Sequence, residues 1–220
     1  MAESVIERLV STNPHMEIWW DTSPLIFEKW VAKMVGAAPA GKKAELEGQL
    51  KRLFNTSDPA TSVFRGCTTN PPLSLEAVKS DPDFWNARID DLVRENPGAT
   101  QKELSWKVYK EVIRRGAEMF RPMWDASGGR YGWVSGQLDP RLFTESEIMC
   151  RQAEEIAAIS PNVMVKVPAS KEGVDVVRYL TSRSISTNTT TCFTLPQIIR
   201  LHDHPRSAGL AHVLWPSGRR

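Results

Sequence analysis

Between residues 16 and 201, short apolar or β-branched runs alternate five times with segments of helical periodicity. The runs centre near residues 20, 66, 135, 165 and 188, and a helical stretch follows each. Antiparallel neighbours can be joined by tight turns, whereas strands separated by helices are parallel and linked by right-handed crossovers. This rhythm fixes the class as α/β, with about five βα units. Polar residues stand at or near the ends of the five runs: Asp21, Asn70, Gln137, Lys166 and Asn188. Barrels and open α/β sheets both gather their sites at the C-terminal ends of strands, so these five are the first functional candidates.

The helical stretches carry their own start signals. Residues 3–10 place Val5, Ile6, Leu9 and Val10 at helical spacing. Asp81 followed by Pro82 gives an N-cap and a first-turn proline. Thr100 with Glu103 forms a capping box for a helix through Leu104, Val108, Val112 and Phe120, expected to end near Pro122. Thr144 with Glu147 predicts a second capping box, for a helix through Ile148 and Ile156 to Ile159. Further helices are expected over 172–183 and from 194 to 201, and a strand over 184–192. Residues 31–61 read as an insertion: the loop GAAPAGKK, a helix over 44–54, then a second loop.

Composition excludes several function classes. Of 220 residues, 41% are hydrophobic and 25% charged, which suits a globular domain. No run of 18 apolar residues exists to span a membrane. A net charge of +2 with interspersed signs argues against a nucleic-acid surface. The opening MAESVIERLV mixes acids with apolar residues, unlike a signal or transit peptide. Cys67, Cys150 and Cys192 are odd in number and far apart, so they read as reduced thiols of a cytoplasmic protein. His202, His204 and His212 have no acid or thiol at ligand spacing, so no metal site is expected. Eight tryptophans are unusually many, and Trp19, Trp20 and Trp133 are expected in a core or pocket wall.

Lys166 is the most informative residue. It lies inside the apolar run VMVKV, in phase with Met164 and out of phase with Val163, Val165 and Val167. Turned inward, its ammonium would be desolvated, which lowers a lysine pKa and yields a nucleophilic amine. Turned outward, it would be an edge lysine or half of an ion pair. The pattern by itself admits both.

Five motifs bear on the choice. VMVKVPASKEGVDVVRYL, residues 163–180, resembles the Schiff-base lysine signature of the transaldolase family. CTTNPPL, residues 67–73, resembles the family's Thr-Thr-Asn-Pro-Ser-Leu, with Pro72 in place of the small residue. WWDTS resembles the first-strand Asp-Thr, VSGQLDPRL the third-strand Glu-Val-Asp-Pro-Arg, and STNTTTCFTLPQ the fifth-strand Asn-x-Thr-x-x-Phe-Ser-x-x-Gln. The motifs occur in family order between residues 17 and 197.

The resemblance implies a TIM (β/α)8-type barrel and a transferase that moves a dihydroxyacetone unit between sugar phosphates. Lys166 would attack the ketose C2 carbonyl, and the protonated imine would act as electron sink for cleavage of C3–C4, with no cofactor. It makes Asp21 the general base for the C4 hydroxyl, although Asp-Thr-Ser-Pro is also good helix-cap chemistry. It gives Asn70 and Asn188 hydrogen bonds to substrate or carbinolamine, Thr190 the catalytic water, and Thr68 the pocket floor. For Thr190, plain strand filling is an equal alternative.

Two departures qualify that reading. Gln137 stands where the family has glutamate, and an amide can orient a water but cannot exchange a proton with it. The fructose-6-phosphate aldolase branch carries glutamine there, so Gln137 favours aldol cleavage without obligatory transfer. After Leu201 the chain reads HDHPRSAGLAHVLWPSGRR and loses its periodicity; only residues 216–219 faintly echo the family's sixth strand. Residues 1–201 are therefore expected to form the barrel-like domain and 202–220 a divergent tail, in a truncated or divergent member, catalytic or not. Five units cannot close an eight-stranded barrel, and open edges are expected to promote self-association.

Overall fold

The computed structural model describes residues 3–13, 15–202 and 211–213. The chain divides into two compact units, Met1–Val134 and Ser135–Arg220.

The first unit begins with α1 (Val5–Thr12), closed at its start by a capping box between Ser4 and Glu7. β1 (Ile18–Trp20) pairs in parallel with β2 (Phe64–Thr68), with Trp19 opposite Gly66 and Trp20 opposite Cys67. Between them lie α2 (Phe27–Ala37) and α3 (Lys43–Leu53). After β2 come α4 (Pro71–Ser80), α5 (Pro82–Glu95) and α6 (Gln101–Ala126). β3 (Trp133–Gln137) starts in this unit, where the Gly132 N–H donates to the Arg65 carbonyl at 2.7 Å. A Cβ on Gly66 would stand 2.7 Å from the Trp133 carbonyl oxygen and 2.9 Å from the Trp19 ring. Only glycine lets the indole lie that close to β2.

Aromatic rings fill the core of the first unit. Phe54 stacks on Phe120 at 4.6 Å, Phe27 meets Phe54 edge-on at 5.4 Å, and Trp20 lies 4.7 Å from Trp30 and 5.4 Å from Phe64. Trp133 is buried, edge-on to Trp124 at 6.2 Å. Segment 31–61 supplies Val31, Leu50, Leu53 and Phe54, all buried, so it contributes core side chains as well as surface loops.

α6 does not stop at Pro122 as the sequence predicts; it runs on to Ala126. An interior proline costs about 3 kcal/mol. Pro122 is exposed, while Phe120 and Met123 on either side of it are each 1% exposed. Burying two such side chains gains about 1.5–3 kcal/mol each, enough to carry the helix through.

The second unit takes up β3 at its C-terminal end and continues with α7 (Ser146–Ala157), β4 (Val163–Pro168), α8 (Lys171–Ser182), β5 (Thr187–Thr190) and α9 (Leu195–His202). β4 and β5 are parallel, with Lys166 opposite Asn188 and Pro168 opposite Thr190. A three-residue strand, β6 (Ala211–Val213), pairs in parallel with β5 inside the stretch read from sequence as a tail. Residues 216–219 and His204 lie outside the described residues. β5 is shorter than the β-branched run suggests. Ser184 (φ 58°) and Thr191 (φ 56°) adopt left-handed backbone on either side of it and cut the extended segment short.

The second capping box is absent. α7 starts at Ser146, its cap position is Glu145, and no side chain caps it. The Glu145 N–H is taken by the Leu142 carbonyl at 2.9 Å, at the end of the 3₁₀ turn Pro140–Leu142. This turn shifts the helix start by one residue and leaves Thr144 outside it. The architecture is α/β with parallel strand pairs, as expected. The six strands among the described residues are fewer than the eight of a closed (β/α)8 barrel.

Candidate active site

In the second unit, the turn from β4 into α8 fixes the backbone two residues beyond Lys166. Ser170 caps α8 by accepting the Gly173 N–H at 3.0 Å. A Cβ at Gly173 would stand 1.8 Å from the Pro168 carbonyl oxygen, so the helix start can sit against the strand end only with glycine there. The Lys166 carbonyl accepts the Leu138 N–H at 3.2 Å, tying the end of β3 to β4. Lys166 itself is half-buried, and Met164, two residues earlier on the same face, is fully buried. Val165 and Val167 on the other face are fully buried too, so both faces of β4 are covered.

Partners across a parallel pair present their side chains on one face, so Asn188 shares the face of Lys166. Asn188 is completely buried. Its Nδ2 donates to Ser135 Oγ at 3.0 Å, reaching from β5 to β3 over the strand that carries Lys166. Its Oδ1 is buried with no hydrogen-bond partner among the described residues. Gln137, half-buried, ends β3 two residues beyond Ser135, and Thr190, half-buried, ends β5. The second unit thus brings Gln137, Lys166, Asn188 and Thr190 onto neighbouring strands.

In the first unit, Asp21 follows β1 and Thr68 ends β2, one residue beyond the Trp20–Cys67 pair. The buried Thr68 hydroxyl donates to Asp21 Oδ1 at 2.6 Å. The cap alternative for Asp21 is removed: Ser23 caps the following turn by accepting the Leu25 N–H, which leaves the Asp21 carboxylate to Thr68 on an exposed residue. Asn70 caps α4, its Oδ1 accepting the Leu73 N–H at 2.8 Å. Burial pushes the Cys67 thiol well above its ordinary range, and the Asp21 charge adds to the shift. Cys67 is thus held as a neutral thiol.

Two residues missed in the sequence reading complete the second unit's strand ends. Ser135 stands two positions before Gln137, a period-2 signal for one strand face. Gln197, last residue of the fifth motif, works as a latch. Its Oε1 accepts the N–H groups of Phe193 and Thr194, and its Nε2 donates to the Ala169 and Thr191 carbonyls at 2.9 and 3.3 Å. It thereby joins the loops that follow β4 and β5. The third motif is likewise structural past Gln137. Asp139 caps the turn Pro140–Leu142 and holds the Arg141 guanidinium at 2.7–3.2 Å. Among the described residues, no cluster of three or more histidine, cysteine or acidic side chains could hold a metal, and no helix is long and apolar enough to cross a membrane.

Residues 57–210 match the family described as Transaldolase/Fructose-6-phosphate aldolase. The chain belongs to this family. The match takes in Thr68, Asn70, Gln137, Lys166, Asn188 and Thr190, while Asp21 lies before it. Transaldolase 1 of Streptomyces avermitilis is similar at 34% identity over 140 residues, covering 63% of this chain and 36% of that protein. Transaldolase of Mycobacterium ulcerans is 33% identical over 150 residues, 67% of this chain and 38% of the relative. Transaldolase of Mycobacterium bovis is 32% identical over 158 residues, 71% and 40%. Alignment with these transaldolases thus reaches two-fifths of their length at most.

Proposed function

We propose that Lys166 forms a Schiff base with the carbonyl of a ketose phosphate and that the chain works as a transaldolase-type enzyme of carbohydrate metabolism. The observation that carries this reading is the buried, unpartnered Asn188 Oδ1 in register with Lys166. An unsatisfied buried acceptor costs about 1–3 kcal/mol. A hydroxyl donated by the substrate or by the carbinolamine on Lys166 would satisfy it. The amine adds to C2, the carbinolamine loses water, and the protonated imine accepts the electron pair released when C3–C4 breaks. The aldose phosphate leaves, and the enamine attacks an acceptor aldehyde. Asp21, Thr68, Asn70 and Thr190 keep the roles that the resemblance implies: base for the C4 hydroxyl, pocket floor, substrate contact and water ligand.

Borohydride reduction in the presence of fructose 6-phosphate, followed by peptide mass spectrometry, tests the proposal. One sugar-derived mass on the peptide containing Lys166 is expected. Its absence at every substrate concentration would reject the reading and leave a non-catalytic relative.

The amide of Gln137 at the end of β3 supports a second reading, in which the enzyme cleaves or forms the ketose without obligatory transfer. A glutamine can position the dehydrating water but takes no proton from it. Release of free dihydroxyacetone supports cleavage; transfer to erythrose 4-phosphate supports the transaldolase reaction.

A further inference from the structure

Thr190 ends β5 with its hydroxyl open and its backbone fixed. The residue is half-buried, and its hydroxyl has no hydrogen-bond partner among the described residues. It stands two residues beyond Asn188, hence on the face that Asn188 shares with Lys166. Its carbonyl accepts twice, from the Ala169 N–H at 2.8 Å and from the Thr191 hydroxyl at 2.7 Å. Thr191 then takes left-handed backbone, φ 56°, which a β-branched residue rarely adopts. Such a conformation persists only where the surroundings hold it.

Gln197 braces this turn from α9. Its Nε2 donates to the Thr191 carbonyl at 3.3 Å and to the Ala169 carbonyl at 2.9 Å. Ala169 follows Pro168, which lies opposite Thr190 across β4 and β5. One side-chain amide therefore ties the strand end that carries the lysine to the strand end that carries the threonine. The other end of the amide has an ordinary use. Thr194 and Gln197 have capping-box spacing, and Oε1 accepts the Thr194 N–H at 3.1 Å, as the last residue of a box does. The box accounts for Oε1. It does not call for Nε2 on two carbonyls outside α9.

We propose that Gln197 is a positioning residue for the chemistry at Lys166. By bracing the Thr191 turn against Ala169, it holds the Thr190 hydroxyl beside the end of β4, where Thr190 would bind the water of the carbinolamine step. The inference rests on the Schiff-base reading above. Gln197 touches no reacting atom and acts through Thr190. Without the brace the left-handed turn relaxes and the hydroxyl shifts, and a shift of about 1 Å can cost ~10²-fold in rate.

Two substitutions separate bracing from capping. Gln197→Glu keeps the acceptor of the box and removes the donor to both carbonyls, whereas Gln197→Met, of similar length, removes both. Each full-length variant is compared with the unaltered chain for turnover of fructose 6-phosphate, for the rate of borohydride-trapped adduct at Lys166, and for thermal melting. Turnover and trapping in Gln197→Glu should fall ~10-fold or more while KM stays within about 2-fold. Gln197→Met should lose as much rate and also melt lower, because the cap goes too. Thr190→Val removes the hydroxyl, and on that background Gln197→Glu should cost less than ~2-fold further, as expected of residues that act as a unit. Normal rates in Gln197→Glu would make the residue a cap alone and overturn the inference. A raised KM with kcat unchanged, or an undiminished loss on the Thr190→Val background, would overturn it as well. The adduct in the unaltered chain keeps these results apart from the Schiff-base reading: its absence would reject that reading and this inference together, whereas a normal adduct with rates insensitive to Gln197→Glu would reject this inference alone.

Discussion

Asn70 and Asn188 are the same residue type, placed just after β2 and within β5, and their amide oxygens meet different fates. In the first unit, Asn70 Oδ1 accepts the Leu73 N–H and caps a helix, and Asp21 accepts the Thr68 hydroxyl. In the second unit, Asn188 Oδ1 is buried without a partner beside a half-buried lysine. The first pair of contacts is satisfied within the fold. The second keeps an acceptor in reserve, and unsatisfied buried groups persist where a ligand completes them. The two asparagines thus differ in whether the fold itself has taken up their side-chain oxygen.

The largest test of that difference is Lys166→Arg. Arginine keeps a cation but has no nucleophilic amine, so turnover should fall at least ~10³-fold and the borohydride adduct should vanish. Near-normal turnover would place the reactive amine elsewhere.

Paired asparagine substitutions come next. Asn188→Leu removes a buried acceptor that nothing satisfies but also the Nδ2 bond to Ser135 Oγ, two effects of about 1–3 and about 1 kcal/mol that oppose each other, so thermal stability should change by no more than about 1 kcal/mol while turnover drops about 10²-fold. Asn70→Ala should lower stability by about 1 kcal/mol through loss of the cap, and Asn70→Asp should restore it. Thermal melts of the three variants decide the matter. A large stability loss in Asn188→Leu would make that residue structural as well and erase the contrast.

Gln137→Glu is expected to have a smaller effect. A carboxylate at the end of β3 can exchange protons with the dehydrating water, so adduct formation should speed up by about 10-fold, at the low end of general acid–base effects. A basic limb with a carboxylate pKa should also appear in the pH–rate profile. An unchanged rate would mean that Gln137 takes no part in dehydration.

The smallest effect concerns the clasp of α1 onto α3. The Arg52 guanidinium bonds both Glu7 oxygens at 2.6 and 3.1 Å and, with the Ser4 amide, holds the Glu7 carboxyl down to about 2 from its ordinary 4.5. A pKa depressed in the folded chain stabilises above the unfolded value. The contribution is therefore full above pH 4.5 and is lost as pH falls toward about 2. Glu7→Gln should flatten stability against pH across that window in denaturant titrations. The same slope in the variant would assign it to other carboxylates.

Much of this was legible in the sequence because it is written locally. The strand–helix rhythm, the caps at Asp81 and Thr100, and the phase of Lys166 depend on neighbours within one turn or one strand. The local reading failed where a distant or competing contact outweighed it. Pro122 is carried within α6 by buried Phe120 and Met123, and the Thr144 box yields to a turn that captures the Glu145 N–H. Ser135 and Gln197 act through bonds spanning 53 and 28 residues, beyond any local pattern.

By itself the sequence determined the α/β class, the order of the signature motifs, and the lysine's place on a strand. Periodicity and short motifs are properties of consecutive residues, and folding does not alter them. The tertiary structure decided which polar groups are satisfied. Asn70 and Asn188 are chemically identical in the chain, and only the register of β4 against β5 and the reach to Ser135 leave one oxygen unpaired beside Lys166. Hydrogen-bond satisfaction depends on which groups meet across strands far apart in sequence, and that is settled only when the strands pair.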